Sequence, residues 1–445
     1  MRILFPKGAE RMMESIWEMG VKRTAFAPLT KDIKTDVLIV GGGLAGVLCA
    51  YMLKNAGVDC VLVEADRIGG GVTQNTTAKI TLQHGLLYDK LLARFGYEKA
   101  RLYLETQKKA MGEYARLCRD ISCDYEHKDA YVYTLNDRKK LEKEAAALQK
   151  LGLQAEVYAH SNLPFPIAGS VCVKDQAQFH PLKFITAIAE KLPIYENTKV
   201  VALTPHKAIT PHGEITCKKM IIATHFPILN KHGGYFLKMY QHRSYVLALE
   251  GAQDVGGMYV DENEKGLSFR NYGNLLLLGG GAHRTGKKGG NWRELEAFAQ
   301  KYYPRAKTVA RWATQDCMTL DAVPYIGQYS PNTPDLFVAT GFNKWGMTSS
   351  MVAAMILTEL VQDKDSAYAA VFSPMRSILH PQLAVNAFES VVGLLTPTVP
   401  RCPHLGCALR YNRAEHSWDC PCHGSRFSEN GELLDNPATD DKKML

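Results

Sequence analysis

The clearest hydrophobic pattern of the chain lies between residues 36 and 64. Residues 36–40 form an apolar, β-branched run that predicts a buried strand, and residues 44–56 carry the apolar spacing of a helix. Residues 58–64 predict a second strand, and Gly57 ends the helix between the two. This order predicts a parallel βαβ unit, which is the building block of nucleotide-binding sheets.

A glycine fingerprint stands at the first turn of this unit. Gly41, Gly43 and Gly46 form G-x-G-x-x-G. Gly41 allows a tight turn, Gly43 lets a pyrophosphate approach the backbone, and Gly46 lets the helix pack against the strand. The N-terminus of the helix offers unpaired N–H groups to the phosphates. Glu64 ends the second strand, where a carboxylate can bind ribose hydroxyls but would repel a 2′-phosphate, so FAD or NAD is predicted rather than NADP.

The rest of the chain predicts further helices and a second group of strands. Helical spacing covers residues 86–118, with a break near Gly96, and residues 139–150, 178–191 and 349–362. Strand patterns cover residues 130–134, 199–204, 208–210, 214–217, 219–224, 245–250, 257–260, 266–270, 274–279 and 335–339. Residues 279–281 do not continue into a second fingerprint, so a nicotinamide partner is not expected. The predicted fold class is an α/β Rossmann-like domain interleaved with an α+β domain on an antiparallel sheet.

Composition narrows the class of protein. The chain has 445 residues and 46% hydrophobic content, enough for two or three domains with real cores. The formal charge of +8 is spread along the chain, so nucleic-acid binding is not expected. No apolar run approaches the about 18 residues that a membrane span needs, and the first residues are too charged for a signal peptide. The sequence therefore predicts a cytoplasmic protein without a transmembrane segment.

Cysteine and histidine residues crowd the C-terminal stretch. Cys402 and His404 form C-x-H, and Cys420 and His423 form C-x-x-H. Two thiolates and two imidazoles are the ligand set of a Rieske 2Fe-2S cluster. The same four ligands could instead hold a structural zinc ion, and a vestigial site without metal is a further alternative.

The body of the chain resembles the D-amino-acid oxidase and glycine oxidase superfamily of FAD-dependent oxidoreductases. The resemblance rests on the fingerprint, the loop at residues 69–79, and the segments 178–181, 219–224, 324–327 and 341–348. It implies an FAD-binding Rossmann-like domain, with the flavin ring along residues 76–79 and its pyrimidine end over residues 341–348. The residues that would contact FAD are Gly41, Gly43, Gly46, Glu64, Arg67, Thr76, Thr77, Lys79, Val201, Gly341, Lys344, Gly346, Met347 and Thr348.

The resemblance implies oxidation of a small amine, amino acid or hydroxy acid. The candidate pocket residues are Lys79, His84, Arg270, His283 and Arg284. Either arginine could bind a substrate carboxylate through two hydrogen bonds, and His84 could titrate near neutral pH.

The C-terminal segment resembles a Rieske module that lacks most of its usual base. In higher-potential members, the positions of Cys407 and Cys422 form a disulfide that clamps the two ligand loops. A segment of about 45 residues rarely supports its own core, so this one is expected to pack on the flavin domain or on a partner chain.

These observations predict a dehydrogenase rather than an oxidase. Electrons are expected to pass from FAD through the cluster to an acceptor, for which a one-electron acceptor protein is the candidate. The alternative is a redox carrier or sensor without a small-molecule substrate. The predicted divisions are a lead-in at residues 1–35, an FAD-binding domain at 36–88, 180–230 and 308–362, a substrate domain at 89–179 and 231–307, a linker at 363–399, and the Rieske-like module at 400–445.

Overall fold

A parallel sheet forms one half of the body. The computed structural model describes residues 14–229, 232–397 and 400–442, so the beginning of the predicted lead-in lies outside the described residues. The first sheet has eight strands, and its four central pairings are parallel. In spatial order its main path is Tyr325–Gln328, Leu336–Thr340, Gly213–Ile222, Ile33–Val40, Cys60–Val63 and Ile194–Tyr195, and the hairpin Ala202–Thr204 and Lys207–Thr210 joins Gly213–Ile222.

Helices cover this sheet and its neighbouring core. Leu44–Asn55 packs closely against the apolar helix Gly346–Val361. The long helix Tyr88–Leu117 is interrupted at Gly96, whose φ of 78° confirms the predicted break. The other helical segments are Ile16–Glu18, Val72–Asn75, Arg138–Lys150, Pro181–Ala189, Tyr235–Lys238, Asn291–Tyr302, Ala369–Phe372 and Pro381–Leu395.

The second sheet has nine strands and is mostly antiparallel. In spatial order its path is Lys307–Thr319, Met239–Glu250, Leu275–Arg284, Ser268–Tyr272, Met258–Asp261, Glu126–Thr134, Gly169–Gln178 and Lys79–Ile80, and Glu156–Tyr158 pairs with Gly169–Gln178. We call Met239–Glu250 and Lys307–Thr319 the bridging strands, because they lie between the body and the C-terminal module. The sequence pattern did not identify Lys307–Thr319, and it divided Gly213–Ile222 into two strands. The domain boundaries stay a prediction.

The C-terminal module is a small antiparallel sheet with two cysteine–histidine loops. Its four strands are Arg410–Asn412, Ser417–Asp419, Arg426–Ser428 and Leu433–Asp435. Together with the two larger sheets, this module confirms the predicted fold class. Within the part of the chain that the structure describes, no helix combines the length and apolar character that crossing a bilayer requires.

A buried ion network fixes the module to the second sheet. Arg243, on a bridging strand, pairs with Glu415 of the module, and its Nε lies 2.9 Å from Glu415 Oε1. Arg426 donates to Glu415 Oε2 at 2.8 Å and to Asp419 Oδ1 at 3.0 Å. Burial alone would raise the pKa of Glu415, but Arg243 and Arg426 outweigh it and hold this pKa at about 2.

We expect loss of the Glu415 charge to weaken the module and its docking. Glu415→Gln leaves buried Arg243 with only the more distant Asp435 carboxylate, at 3.9 Å, and breaking a buried pair typically costs about 3 kcal/mol or more. Because the pKa of Glu415 is lower in the folded protein, its contribution is complete above the unfolded pKa of about 4.3 and is lost as the pH falls towards about 2. Thermal unfolding followed through the visible circular dichroism of the cluster measures both effects. Glu429→Gln, which changes an exposed acid of the same module, is the control, and equal losses in both variants would contradict the role of the network.

Candidate functional site

A cavity of about 610 Å³ lies between the first and second sheets. Its size and its mixed apolar and polar wall are typical of cofactor and substrate sites. Most of the residues that the sequence assigned to FAD are in the wall: Gly41, Gly43, Glu64, Arg67, Thr76, Thr77, Lys79, Gly341, Lys344, Gly346 and Met347. Gly46 and Thr348 are not in the wall. They lie in the first turns of the helices Leu44–Asn55 and Gly346–Val361, which begin at the wall. Val201 is 54% exposed and is not in the wall, whereas its neighbours Thr198, Lys199 and Val200 are.

The glycine turn opens towards this cavity. A Cβ atom on Gly46 would lie 1.9 Å from the carbonyl oxygen of Gly41, so close packing requires glycine there. Gly41 has a φ of 111°, and a Cβ on it would lie 2.6 Å from the carbonyl oxygen of Ala223. A Cβ on Gly43 would meet only Thr73 Oγ1, at 3.5 Å. Gly43 therefore presents bare backbone to the cavity, as a bound pyrophosphate requires.

Glu64 is held in the wall at the nucleotide end. Its Oε2 atom accepts a hydrogen bond from the Gly42 N–H at 2.6 Å, and its Oε1 accepts one from the Asp66 N–H at 2.9 Å. Burial raises the pKa of this carboxyl group, although these N–H donors oppose the shift. The two hydrogen bonds fix the orientation of a carboxylate that can meet ribose hydroxyls.

Lys79 and His84 are the two pocket candidates that line the cavity. Burial, and to a smaller extent the charge of Arg270, lowers the pKa of Lys79 to about 7, and its Nζ donates to Thr77 Oγ1 at 2.9 Å. The His84 ring stacks on Trp345, and its nitrogens lie 2.7 Å from Tyr103 Oη and 3.0 Å from Thr348 Oγ1. Burial lowers the pKa of His84 to about 3, so the expected titration near neutral pH is not supported.

The other three pocket candidates do not line the cavity. Arg270 is buried behind the wall and donates to the carbonyl oxygens of Thr77 and Ala78, at 2.6 and 2.8 Å. The ring of His283 stacks on Tyr245.

Arg284 faces the module. Its Nε donates to the Pro421 carbonyl at 3.1 Å, and its Nη2 donates to the Cys422 carbonyl at 3.0 Å. Arg284 thus binds main-chain carbonyls of the module, and Arg270 binds carbonyls through Nη1 while its Nε and Nη2 have no hydrogen-bonding partner among the described residues. Binding of a substrate carboxylate by Arg270 or Arg284 stays a prediction, and neither side chain lines the cavity.

The bridging strand Lys307–Thr319, which the sequence pattern did not identify, contributes to the wall. Thr314, Asp316 and Met318 line the cavity. Burial raises the pKa of the Asp316 carboxyl to about 6, against the opposing charges of Lys344 and Arg243. Residues 311–318 show no regular alternation of polar and apolar positions, so the sequence carried no clear strand signal there.

The predicted cluster ligands meet in the C-terminal module. Cys402, Cys420 and His423 are buried, and the rings of His404 and His423 stand perpendicular with their centroids 5.0 Å apart. Within the described chain, neither ring nitrogen of His423 has a hydrogen-bonding partner, which is unusual for a buried imidazole and fits a metal ligand.

The second cysteine pair lies beside these ligands. The sulfur atoms of Cys407, Cys420 and Cys422 all lie within 4.8 Å of one another. The structure has Cys407 and Cys422 as free thiols, so the disulfide between them stays a prediction.

The bridging strands lie between the ligand loop of His423 and the cavity. Gln241 Nε2 donates to the His423 carbonyl oxygen at 3.1 Å, and Gln315 Nε2 donates to the Gly424 carbonyl oxygen at 2.9 Å. Gln315 also donates to Gln241 Oε1 at 2.7 Å, which joins the two side chains. Asp316, next to Gln315, lies in the cavity wall. One strand layer therefore touches the ligand loop of the module on one face and the cavity on the other.

Two family models match the chain. Residues 36–360 match the DAO family, described as FAD dependent oxidoreductase, and residues 384–444 match the Rieske [2Fe-2S] domain. A protein of Bacillus subtilis (strain 168), which carries the name Rieske 2Fe-2S iron-sulfur protein YhfW, is 34% identical over 98% of this chain and 98% of its own.

More distant relatives match the body of the chain. Gamma-glutamylputrescine oxidoreductase of Escherichia coli (strain K12) is 24% identical over 77% of this chain and 87% of its own length. The crystal structure of glycine oxidase from Geobacillus kaustophilus superimposes with a TM-score of 0.66 at 19% identity, covering 77% of this chain and 99% of that one. The latter similarity shows the shared fold.

We expect Gly43→Val to fold but to lose the yellow colour of bound FAD. The new side chain would project into the cavity, because only Thr73 Oγ1 lies near the Cβ position. The affinity for FAD should fall at least about a hundredfold, equivalent to about 2.7 kcal/mol, in a titration of deflavinated protein. Gly112→Val, at an exposed helical position, should keep FAD. Recovery of FMN instead of FAD from the denatured parent protein would contradict the assignment.

We also expect Cys407 and Cys422 to be joined in the oxidised protein. The bond would close a loop of about 16 residues and stabilise the module by about 3 kcal/mol. Alkylation of the denatured, unreduced protein followed by peptide mass analysis measures this directly. Cys118 and Cys123, whose sulfur atoms lie 3.5 Å apart in the body, are the control pair and should be alkylated. Alkylation of Cys407 and Cys422 to the same extent would refute the disulfide.

Proposed function

Because the chain belongs to the DAO family of FAD-dependent oxidoreductases and carries a C-terminal Rieske domain, we propose that it oxidises a small amine, amino acid or hydroxy acid and passes the electrons through the cluster to a one-electron acceptor. Membership of the family confirms the predicted enzyme class and the two cofactors, FAD and a 2Fe-2S cluster. The substrate class and the electron acceptor belong to the proposal.

The observation that carries the proposal is the position of the bridging strands. Asp316 lies in the cavity wall, and the adjacent Gln315 binds the ligand loop that contains His423. Arg243 and Glu415 hold the module in this position through a buried ion pair. Residues 433–436 of the module also line the cavity. This arrangement supports electron transfer within one chain, with a docked module.

The two cofactors supply complementary chemistry when bound, since flavin accepts two electrons from a carbon and a Rieske cluster takes one at a time at about −150 to +300 mV. The protein supplies the residues around the reacting carbon. Lys79 Nζ, with a pKa of about 7, can hold or release a proton near neutral pH. Trp345 and Thr348 keep neutral His84 in a fixed orientation in the same cavity wall. Asp316, also in the cavity wall, can orient a substrate ammonium group.

An amine is the substrate class that the site favours. Asp316 lines the cavity together with Asp261, Glu262 and Glu264. Lys344, also in the wall, offsets part of this charge, but the carboxylates outnumber it, so a cationic group would be attracted to this part of the wall. The similarity to gamma-glutamylputrescine oxidoreductase supports the same class. We infer a cytoplasmic location, because the seven cysteines of the body are scattered along the sequence rather than spaced as a disulfide framework.

The alternative function is that of a redox carrier or sensor that exchanges electrons only with proteins. One observation favours it. Arg270 and Arg284 bind main-chain carbonyls, and Arg67 is the one arginine among the described residues that line the cavity. Arg67 lies at the nucleotide end, and Arg270 lies near Lys79 but does not line the cavity, so no arginine of the described wall faces a substrate carboxylate there. A screen of amines, amino acids and hydroxy acids for anaerobic flavin bleaching separates the two functions.

We expect the cluster, rather than dioxygen, to be the first acceptor from the flavin. With a substrate from the screen, flavin absorbance should bleach first under anaerobic conditions, and cluster absorbance should follow. Cys402→Ser should leave flavin bleaching intact, because Cys402 is outside the cavity, and should lower ferricyanide reduction at least about tenfold through loss of a cluster ligand. Cys118→Ser, a thiol of the body, should match the parent.

Two results would contradict this electron route. If Cys402→Ser turned over with oxygen as fast as the parent, and if the cluster of the parent never became reduced, the protein would be an oxidase with a structural module. If no compound in the screen bleached the flavin while a reduced carrier protein did, the alternative function would be favoured.

A further inference from the structure

The helix Pro381–Leu395 exposes its apolar side and buries its polar side. Asn386 and Gly393 are the buried positions of this helix. The exposed positions carry large apolar side chains, with Phe388 66% exposed and Leu395 76% exposed. The remaining large apolar side chains that are exposed along the helix are Val385, Val391, Val392 and Leu394. We call this exposed row the apolar strip. A contiguous apolar surface of this kind usually marks an interaction site.

Hydrogen bonds lock the helix in this orientation. Asn386 Nδ2 donates to the Leu237 carbonyl at 3.2 Å, and Asn386 Oδ1 accepts from Arg284 Nη1 at 2.9 Å. Glu389, the single charged residue of the helix, forms an ion pair with Lys287 at 2.6 Å. Rotation about the helix axis would break these contacts, so the apolar strip cannot turn inward.

The opposite side of the helix lies directly against the cluster site. A Cβ atom on Gly393 would lie 2.4 Å from Cys422 Sγ and 3.4 Å from Cys407 Cβ. The Gly393 carbonyl oxygen accepts a hydrogen bond from the Ala408 N–H at 2.9 Å. Whatever covers the apolar strip is therefore brought close to the cluster ligands.

Positive charge borders the strip at its two ends. Arg94 Nη2 lies 3.5 Å from the carbonyl oxygen of Leu379, a residue that is itself 81% exposed just before the helix. Arg401 donates to the carbonyl oxygens of Leu394 and Thr396, at 3.1 and 2.8 Å. Neither contact neutralises the guanidinium charge. An apolar strip bordered by arginines suits the boundary between acyl chains and anionic headgroups.

Other occupants fit this surface less well. Ordinary protein interfaces contain about one hydrogen bond per 100–200 Å², whereas the large side chains of the strip offer no polar atoms. If two copies paired their helices antiparallel about a two-fold axis, Arg94 of one copy would face Arg401 of the other, and the like charges would repel. We propose that Pro381–Leu395 lies on an anionic lipid surface, with the apolar strip inserted at the level of the headgroups.

The test is co-sedimentation of the full-length holoprotein with vesicles. Vesicles of phosphatidylcholine and phosphatidylglycerol in equal parts are compared with vesicles of phosphatidylcholine alone. The parent protein should bind the anionic vesicles more strongly. The double variant Phe388→Asp and Leu395→Asp should lower the partition coefficient at least about tenfold, because two large side chains no longer enter the apolar region. Arg94→Gln should lower it about fivefold at low salt, and only on anionic vesicles.

Controls separate binding from folding. Leu135→Asp changes an apolar residue that is 49% exposed in another part of the chain, and it should bind as the parent does. The visible spectra of flavin and cluster report whether each variant is folded. If the double aspartate variant loses these spectra, Phe388→Ser with Leu395→Ser replaces it, with the same expected loss of binding.

Three results would overturn the proposal. The first is a parent protein that does not bind anionic vesicles. The second is binding that the strip variants leave unchanged. The third is a parent dimer, seen by sedimentation velocity, that the strip variants dissociate while vesicles are not bound, which would make the strip an interface between copies. The measurement does not involve turnover, so its failure would leave the proposed oxidoreductase function untouched.

Discussion

Successive side chains of a β-strand point to opposite faces, and this constraint governs the bridging strands. In Lys307–Thr319, Gln315 faces the module and Asp316 faces the cavity. In Met239–Glu250, Gln241 binds the loop of His423. The ligand loop of His423 and the cavity thus lie on opposite faces of a single layer of backbone. A slip of one residue in the pairing of these strands would exchange their faces, and both the cavity wall and the docking contacts would be lost together.

The module depends on this surface because it has little core of its own. Its buried apolar cluster consists of Cys402, Cys407, Leu409, Cys420, Cys422, Phe427 and Ala438, of which four are cysteines. A segment of this size seldom gains enough burial to fold alone. The ion pairs of Glu415 and the hydrogen bonds of the two glutamines replace the missing base. The sequence lacks the strands that would normally precede the first ligand loop. The surface of the second sheet on which the module packs takes their place.

Sequence reasoning succeeded where the chemistry is local along the chain. The glycine turn with Glu64 and the paired cysteine–histidine loops each lie within short segments whose spacing is set by the ligand. It failed where register between distant strands decides the outcome. Arg270 and Arg284 were predicted to bind a substrate carboxylate, yet in the structure their side chains bind carbonyls of other segments. The strand Lys307–Thr319 was missed because both of its faces carry polar residues. One face binds the module and the other lines the cavity, so the sequence shows no simple alternation. The titration of His84 near neutral pH was expected from its residue type alone, but burial lowers its pKa to about 3.

The wall of the cavity also contains residues from near the end of the described chain. Gly41 and Glu64 form one end of it, and residues 433–439 of the module contribute to it as well. During synthesis at about 5–20 residues per second, the glycine turn emerges about 20–80 s before those last wall residues. The nucleotide-binding turn can therefore fold early, but the cavity stays open on one side until translation of the module is finished. The flavin can therefore be enclosed, and the cluster site completed, only after the module has been translated.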